Sequence, residues 1–420
     1  MKSYLLLAIA LSTLTLTACI EGEGSAGSAS SEGEEYLAVD SSGEDEGANP
    51  KPQAGTLTAG DIDDNLNFST YSQYLGKILQ ADTSQVFPAI NLSSRITIQV
   101  KDNANNAVGH ARILIKSSEN ELLYSSIADS KGVFYFFPYM DVNGGINEFT
   151  VEAQAPDNQF ITIDAHVNLT ELNEAQPLSL VLTDHVAELA SALEVVFVID
   201  TTGSMTDELR YITTEFESIV ADIKQLHPSV AMQFGLVVYR DQGDAYVVQN
   251  FDFTTSVEVM KNQLSQQSSG GGGDYPEAMD QGLSSGLNLQ WSQGNVARVL
   301  FLVADAPPHN DKLVATLELA QLARERGIGI YPLAASGSAD LAENLMRLMA
   351  VITQGRYIFM TDDSGIGNSH AEPKVPCYIV TRLDQVINRI ISEALTGVRL
   401  EPQENQIIRS SGQYDNGVCQ

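Results

Sequence analysis

The feature that most limits how this chain can fold is a near-continuous apolar run, Glu194-Val195-Val196-Phe197-Val198-Ile199, that ends on Asp200. A run of strand length without alternation is a strand covered on both faces, which implies a parallel sheet with helices above and below. Leu209, Ile212, Phe216, Ile219, Val220 and Ile223 follow as one helical stripe. An Asp at the carboxyl end of such a strand is costly to bury without a partner cation. Thr202 and Ser204 add two hydroxyls in the turn beside it. Three oxygens on one loop suit a hard cation such as Mg2+, with Mn2+ or Ca2+ as alternatives. Capping of the next helix explains Asp200 alone, but not its placement with the two hydroxyls.

The Asp200-x-Thr202-x-Ser204 pattern resembles the metal-ion-dependent adhesion site of von Willebrand factor A domains, which normally reads Asp-x-Ser-x-Ser. The resemblance implies an α/β fold, a doubly wound and mostly parallel sheet, with that domain over residues 192–397. Residues 232–239, 298–304, 327–335 and 356–360 read as further strands, and 246–253 as an antiparallel return. Residues 257–264, 313–326, 341–353 and 383–395 read as helices, as does a segment ending near Leu287. Following the strand directions, Asp200, the Gly-rich loop over 268–278 and Asp305 meet at the carboxyl edge of the sheet. Open α/β sheets hold their ligands at that edge.

Asp305, in Ala304-Asp305-Ala306-Pro307, matches the family's late Asp, which implies that it holds the cation mostly through water. The family's intermediate Thr is missing, and Gly272-Gly273-Asp274 stands in its place. This implies Asp274 as a third carboxylate, a tighter hold on the cation and less dependence on an acidic ligand. Tyr239-Arg240-Asp241 and the Gly-rich run ending in Asp274-Tyr275-Pro276-Glu277-Ala278 are similar to a subgroup that includes A domains attached to some alpha-type protein kinases. The sequence carries no kinase region. The Gly-rich loop also lacks the Gly-Lys-Ser/Thr ending of a phosphate cradle, and Asp274 would repel phosphate.

The amino terminus reads as a targeting segment. Lys2 precedes an apolar stretch over residues 5–16, too short for a stable membrane span. Leu16-Thr17-Ala18-Cys19 resembles a bacterial lipobox, which implies a signal peptide over residues 1–18 and an acylated Cys19. Ile20 after the cysteine implies sorting to the outer membrane. Residues 19–55, rich in Gly, Ser, Glu and Asp, read as an acidic disordered tether. The net charge of −31, from 54 acidic and 23 basic residues, argues against nucleic acid or anionic headgroups as general partners. It is equally what a heavily solvated surface looks like. Cys377 and Cys419 remain as a pair able to form a disulfide in an oxidising compartment.

Two segments lie between the tether and the α/β domain. Residues 56–93 begin with a turn-rich cap, and Phe68, Tyr71, Tyr74, Leu75, Ile78 and Leu79 then follow at helical spacing. Asp61, Asp63 and Asn65 alternate as in a calcium loop, but the downstream Gly and Glu of an EF-hand are missing. Residues 94–183 alternate as short strands between turns and read as a β-sandwich, similar in order to carboxypeptidase regulatory-like domains. Residues 398–420 form a tail, and His370 in the loop over 362–376 reads as a surface residue.

No His-Glu-x-x-His, Gly-x-Ser-x-Gly or triad accompanies the oxygen cluster, so the expectation is a binding protein and not an enzyme. The expected function is adhesion or assembly at the cell envelope, through a cation that takes a carboxylate from a protein ligand. The membrane is reached by the lipid anchor alone. A purely structural cation is the first alternative and a metal-assisted hydrolase the second.

Overall fold

The computed structural model describes residues 52–81, 86–157, 161–171 and 176–420. The signal peptide, Cys19 and nearly all of the acidic tether lie outside these residues. No helix among the described residues is long and apolar enough to cross a membrane.

In chain order, strand β1 (Thr58–Ile62) and helix α1 (Phe68–Ala81) come first. Seven strands follow: β2 (Ile96–Asp102), β3 (Arg112–Lys116), β4 (Leu122–Ile127), β5 (Val133–Phe136), β6 (Glu148–Gln154), β7 (Thr162–Asn168) and β8 (Leu178–Leu182), with short helix α2 (Pro138–Asp141) after β5. They pair as β5-β2-β8 and β4-β3-β6-β7. Both sheets turn alternate residues onto one shared core, including Ile98 and Val100 from the first and Ile113, Phe149 and Val151 from the second.

The α/β body then runs β9 (Ala192–Asp200), α3 (Thr206–Leu226), β10 (Ala231–Tyr239), β11 (Val248–Thr254), α4 (Val257–Ser265) and α5 (Met279–Leu287). It continues with β12 (Val296–Ala304), α6 (Leu313–Glu325), β13 (Ile328–Ala334), α7 (Asp340–Ile352) and β14 (Tyr357–Met360). It closes with β15 (Tyr378–Arg382), α8 (Leu383–Thr396), β16 (Arg409–Ser411), β17 (Tyr414–Asp415) and β18 (Val418–Cys419). Nine strands form one sheet in the order β11-β10-β9-β12-β13-β14-β1-β15-β16. Strands β10, β9, β12, β13 and β14 are parallel, and β11 returns antiparallel on β10.

The apolar runs behave as strands covered on both faces. Val196 and Val198 of β9, with Leu300 and Leu302 of β12, pack beneath α5, α6 and α7. Val195, Phe197 and Ile199, with Val299, Phe301 and Val303, face α3, α4 and α8. Phe197 stacks on Phe216 of α3 with ring centroids 4.3 Å apart.

The leading segment differs from the expected turn-rich cap. Residues 58–62 are a strand inside the α/β sheet, antiparallel to both β14 and β15. Thr-Ala-Gly-Asp-Ile has little strand propensity, and tertiary contacts override it. A Cβ on Gly60 would meet the Phe359 ring at 2.6 Å and the Tyr378 ring at 3.3 Å, so glycine lets two aromatic neighbours cover the strand. The acidic alternation after it serves arginines. Asp61 pairs with Arg356 at 3.0 Å, Asp64 with Arg347 at 2.9 Å and Asp63 with Arg399 at 3.4 Å.

The two sheet systems are joined by a buried ion pair. Arg324, at the end of α6, donates Nε and Nη2 to the two Asp141 oxygens at 2.9 and 2.8 Å. Its Nη1 donates to the Ile352 carbonyl at 2.6 Å, and its guanidinium lies 4.4 Å from the Phe134 ring centroid.

The carboxyl tail folds back onto the body as well. Cys377 and Cys419 are disulfide-bonded with Cα atoms 5.5 Å apart. Asn67 holds the same hairpin, donating Nδ2 to the Gly417 carbonyl and accepting from the Cys419 amide, both at 2.8 Å. A cross-link over 42 residues restricts the unfolded chain by about 4 kcal/mol in the loop-entropy account. The double variant Cys377→Ser/Cys419→Ser is expected to lose about 2–4 kcal/mol in urea unfolding, and wild type in reducing agent should match it.

Candidate metal centre

Strand β9 delivers Asp200 to the carboxyl edge of the sheet, where it is fully buried. Its Oδ1 accepts from the Thr202 amide at 2.8 Å and from Thr202 Oγ1 at 2.7 Å. Thr202 Oγ1 lies 3.2 Å from Ser204 Oγ. The carboxylate and both hydroxyls of the motif are thus drawn together on one turn. Asp200 Oδ2 is buried and makes no hydrogen bond of ordinary geometry.

The Gly-rich loop is laced onto that turn by backbone. Gly203 N donates to the Gly271 carbonyl at 3.1 Å, and Gly270 N donates to the Thr201 carbonyl at 3.0 Å. Gly271 and Gly272 both have positive φ, and neither tolerates a side chain. A Cβ on Gly271 would lie 2.3 Å from the Asp244 carboxylate, and one on Gly272 would lie 2.9 Å from Glu277 Oε1. Asp244 anchors the loop by accepting from the Gly272 amide at 2.9 Å. The loop path therefore turns Glu277 inward. Glu277 is buried, its Oε2 makes no hydrogen bond, and its amide donates to the Pro307 carbonyl at 3.0 Å.

Asp305 follows the end of β12 at the same edge and is buried. The three carboxylates sense one another. Burial, then the Asp305 charge, push the Asp200 pKa up to about 7. Burial, then the charges of Asp200, Asp241, Asp305 and Asp244, push that of Glu277 up to about 9. The Tyr239 hydroxyl, buried and facing Asp200, Asp305 and Glu277, is held neutral.

Asp200, Thr202 and Ser204 are adjacent, and Asp305 acts on Asp200 through its charge. Asp274 is exposed, and its charge acts on His309, whose Nε2 lies 2.9 Å from Asp241 Oδ1. Glu277, three residues on, faces the buried cluster and was not singled out by the sequence. The missing signal is local: two adjacent glycines of positive φ leave room for a carboxylate folded back under the loop. Among the described residues no three His, Cys, Asp or Glu side chains converge as a ready metal cage. The cluster instead combines carboxylates with the Thr202 and Ser204 hydroxyls.

His370 also differs from the expected surface role. Its side chain is buried, with Nε2 2.8 Å from Glu208 Oε1 and Nδ1 2.8 Å from Asp362 Oδ1. Burial opposes its charge, but the Glu208 and Asp362 carboxylates beside it outweigh that and raise its pKa. Glu208 also accepts from the Ser336 amide, so this clamp ties α3 to two loops of the edge.

With this geometry in place, the comparisons define the class of domain. The family model described as von Willebrand factor A domain matches residues 194–361. Residues 194–361 are thus similar to that family, and the mixed α/β architecture with a large, mostly parallel central sheet agrees with it. A curated relative, the alpha-protein kinase vwkA of Dictyostelium discoideum, is 28% identical over 129 residues, which is 30% of this chain. The match spans 20% of that protein's length. The solved vWF domain of the type V pili tip protein Mfa5 from Porphyromonas gingivalis aligns over 52% of this chain and 100% of its own, at 14% identity and TM-score 0.35. The conserved hypothetical protein BatB from Bacteroides thetaiotaomicron aligns over 48% of this chain and 98% of its own, at 14% identity and TM-score 0.33.

Proposed function

We propose that the domain binds a protein partner through a divalent cation held at the edge of the sheet, as a non-catalytic adhesion or assembly module. The observation that carries this reading is the buried Oδ2 of Asp200, without a hydrogen bond of ordinary geometry, beside the charges of Asp305 and Glu277. Buried carboxylates that raise one another's pKa are unfavourable unless neutralised by protons or by a cation. The oxygen-only donor set and the two hydroxyls fit Mg2+, or Mn2+ or Ca2+. In this reading Asp200, Thr202 and Ser204 hold the ion, and Asp305 orients its water. Glu277 supplies the further carboxylate expected of Asp274. When bound, the ion supplies an electrophilic attachment point for a carboxylate of the partner.

The lipobox-like Cys19 supports attachment to the cell envelope, with an outer-membrane location following from Ile20. The acidic stretch behind it supports a tether that holds the domain off the bilayer.

A pull-down from envelope extracts tests the binding reading. A partner recovered in 2 mM Mg2+ is expected to be lost in EDTA and with Asp200→Ala, by at least tenfold. Recovery unchanged by both treatments contradicts it. A protein that melts lower in EDTA yet keeps the same partners would favour a purely structural cation instead.

A further inference from the structure

A second site lies at the opposite, amino ends of the parallel strands. Arg298 sits three residues into β12, and six residues of extended chain separate it from Ala304, about 20 Å. There the α/β body and the strands β3 and β4 enclose a cleft of about 380 Å³. Its walls include Arg112, Ser126, Trp291, Arg298, Glu325 and Arg326.

The charge of this cleft runs against that of the chain. The protein carries −31 overall, yet three guanidinium groups and one carboxylate, Glu325, line this cleft, with the buried Glu194 carboxylate of β9 behind Arg298. His110, also in the wall, adds no charge, because burial pushes its pKa down to about 4. Asp157 stands nearby with its Oδ1 already accepting from the Asn295 amide at 3.0 Å.

The arginines are incompletely satisfied. Arg298 is buried and donates Nε to the Ser292 carbonyl at 2.9 Å and Nη2 to the Gly294 carbonyl at 3.2 Å. Its Nη1 is buried with no acceptor. Arg326 is exposed and donates Nη1 to the Leu287 carbonyl at 2.8 Å. Arg112 is exposed, and its guanidinium has no hydrogen bond or ion pair among the described residues. A desolvated guanidinium proton without an acceptor is unfavourable, and the fork geometry of Arg matches an oxyanion. The volume lies in the range of small-molecule pockets, and the half-buried Trp291 offers an aromatic wall.

We propose that this cleft binds a small organic anion, a carboxylate or phosphate on a body of monosaccharide size, independently of any cation at the carboxyl edge. The oxyanion is taken by Arg112 and Arg326 at the mouth, with Arg298 supplying charge from the wall. The site rests on none of the residues of the proposed metal centre, so either can fail alone.

The chain's single tryptophan, Trp291, makes the test direct. The full chain in EDTA is titrated with D-glucuronate and with glucose 6-phosphate, at ionic strength held constant with KCl. D-glucose is the neutral control, and fluorescence and calorimetry are read together. A saturable change with at least one of the two acids is expected, and none with glucose. Binding of only one acid assigns the anion as carboxylate or phosphate. Arg112→Glu, at an exposed and unpaired position, should weaken binding at least tenfold with unchanged melting temperature, and Arg326→Gln should weaken it as well. Asp200→Ala should leave it unaltered. No saturable signal with either acid overturns the proposal, as do glucose binding of equal affinity, insensitivity to both arginine variants, or loss of binding in Asp200→Ala.

Discussion

Divalent cation is expected to reverse the pH dependence of this protein's stability. In the metal-free protein, Asp200 and Glu277 titrate near pH 7 and 9 when folded, against ordinary values of 3.8 and 4.5. Between those limits the folded state binds more protons than the unfolded chain, so stability falls as pH rises. The stabilising contribution is fully present below about pH 4 and is lost through pH 7 for Asp200, then through pH 9 for Glu277. A cation that binds only the folded, ionised cluster acts oppositely. At one hundred times its dissociation constant it adds about 2.7 kcal/mol, and the gain should be larger at pH 8 than at pH 5. Asp200→Asn should remove the gain while leaving the metal-free protein at pH 8 at least as stable as wild type, because the variant no longer buries that charge. Thermal melts with and without Mg2+ at the two pH values check this. A gain that is equal at both, or that survives in Asp200→Asn, contradicts it.

Arg324→Ala is expected to cost about 3–5 kcal/mol in urea unfolding, the usual consequence of leaving a buried carboxylate without its partner. Asp141 would keep its burial and the Phe137 amide but lose both guanidinium donors, and the Ile352 carbonyl would lose its donor as well. Asp141→Ala should cost a similar amount by stranding the guanidinium. Pairing Arg324→Met with Asp141→Leu should recover part of the loss, since apolar replacements of a buried pair are tolerated. Recovery stays partial because the Ile352 carbonyl still lacks a partner. A loss below about 1 kcal/mol in both single variants would show that the pair does not hold the two sheet systems together.

Much of the α/β body was legible because its signal is local. The apolar runs of β9 and β12 and the stripe of α3 each follow from burial on known faces. The antiparallel return of β11 followed from a turn flanked by strand patterns. Strand β1 was not legible, because Thr-Ala-Gly-Asp-Ile owes its conformation to Phe359 and Tyr378, some three hundred residues away. Likewise Asp61 and Asp63 alternate with Asn65 like a calcium loop, because the arginines that Asp61 and Asp63 serve lie far along the chain. The placement of Asp200, Thr202 and Ser204 on one turn was readable from spacing. The inward turn of Glu277 was not, because it depends on the path that Gly271 and Gly272 give the loop. His370 looked like a surface residue because Glu208, its partner, is buried at the start of a helix from another part of the sequence.

The proposed function requires a cation that meets oxygens from separate loops at one edge of the sheet. Crystals of the protein grown in Mn2+ and measured at the manganese edge test this directly. An anomalous peak is expected about 2.1 Å from Ser204 Oγ, within one water of Asp305, with Glu277 turned toward it. Millimolar Mn2+ with no peak beside Ser204, or a peak bound only by residues elsewhere, would contradict it.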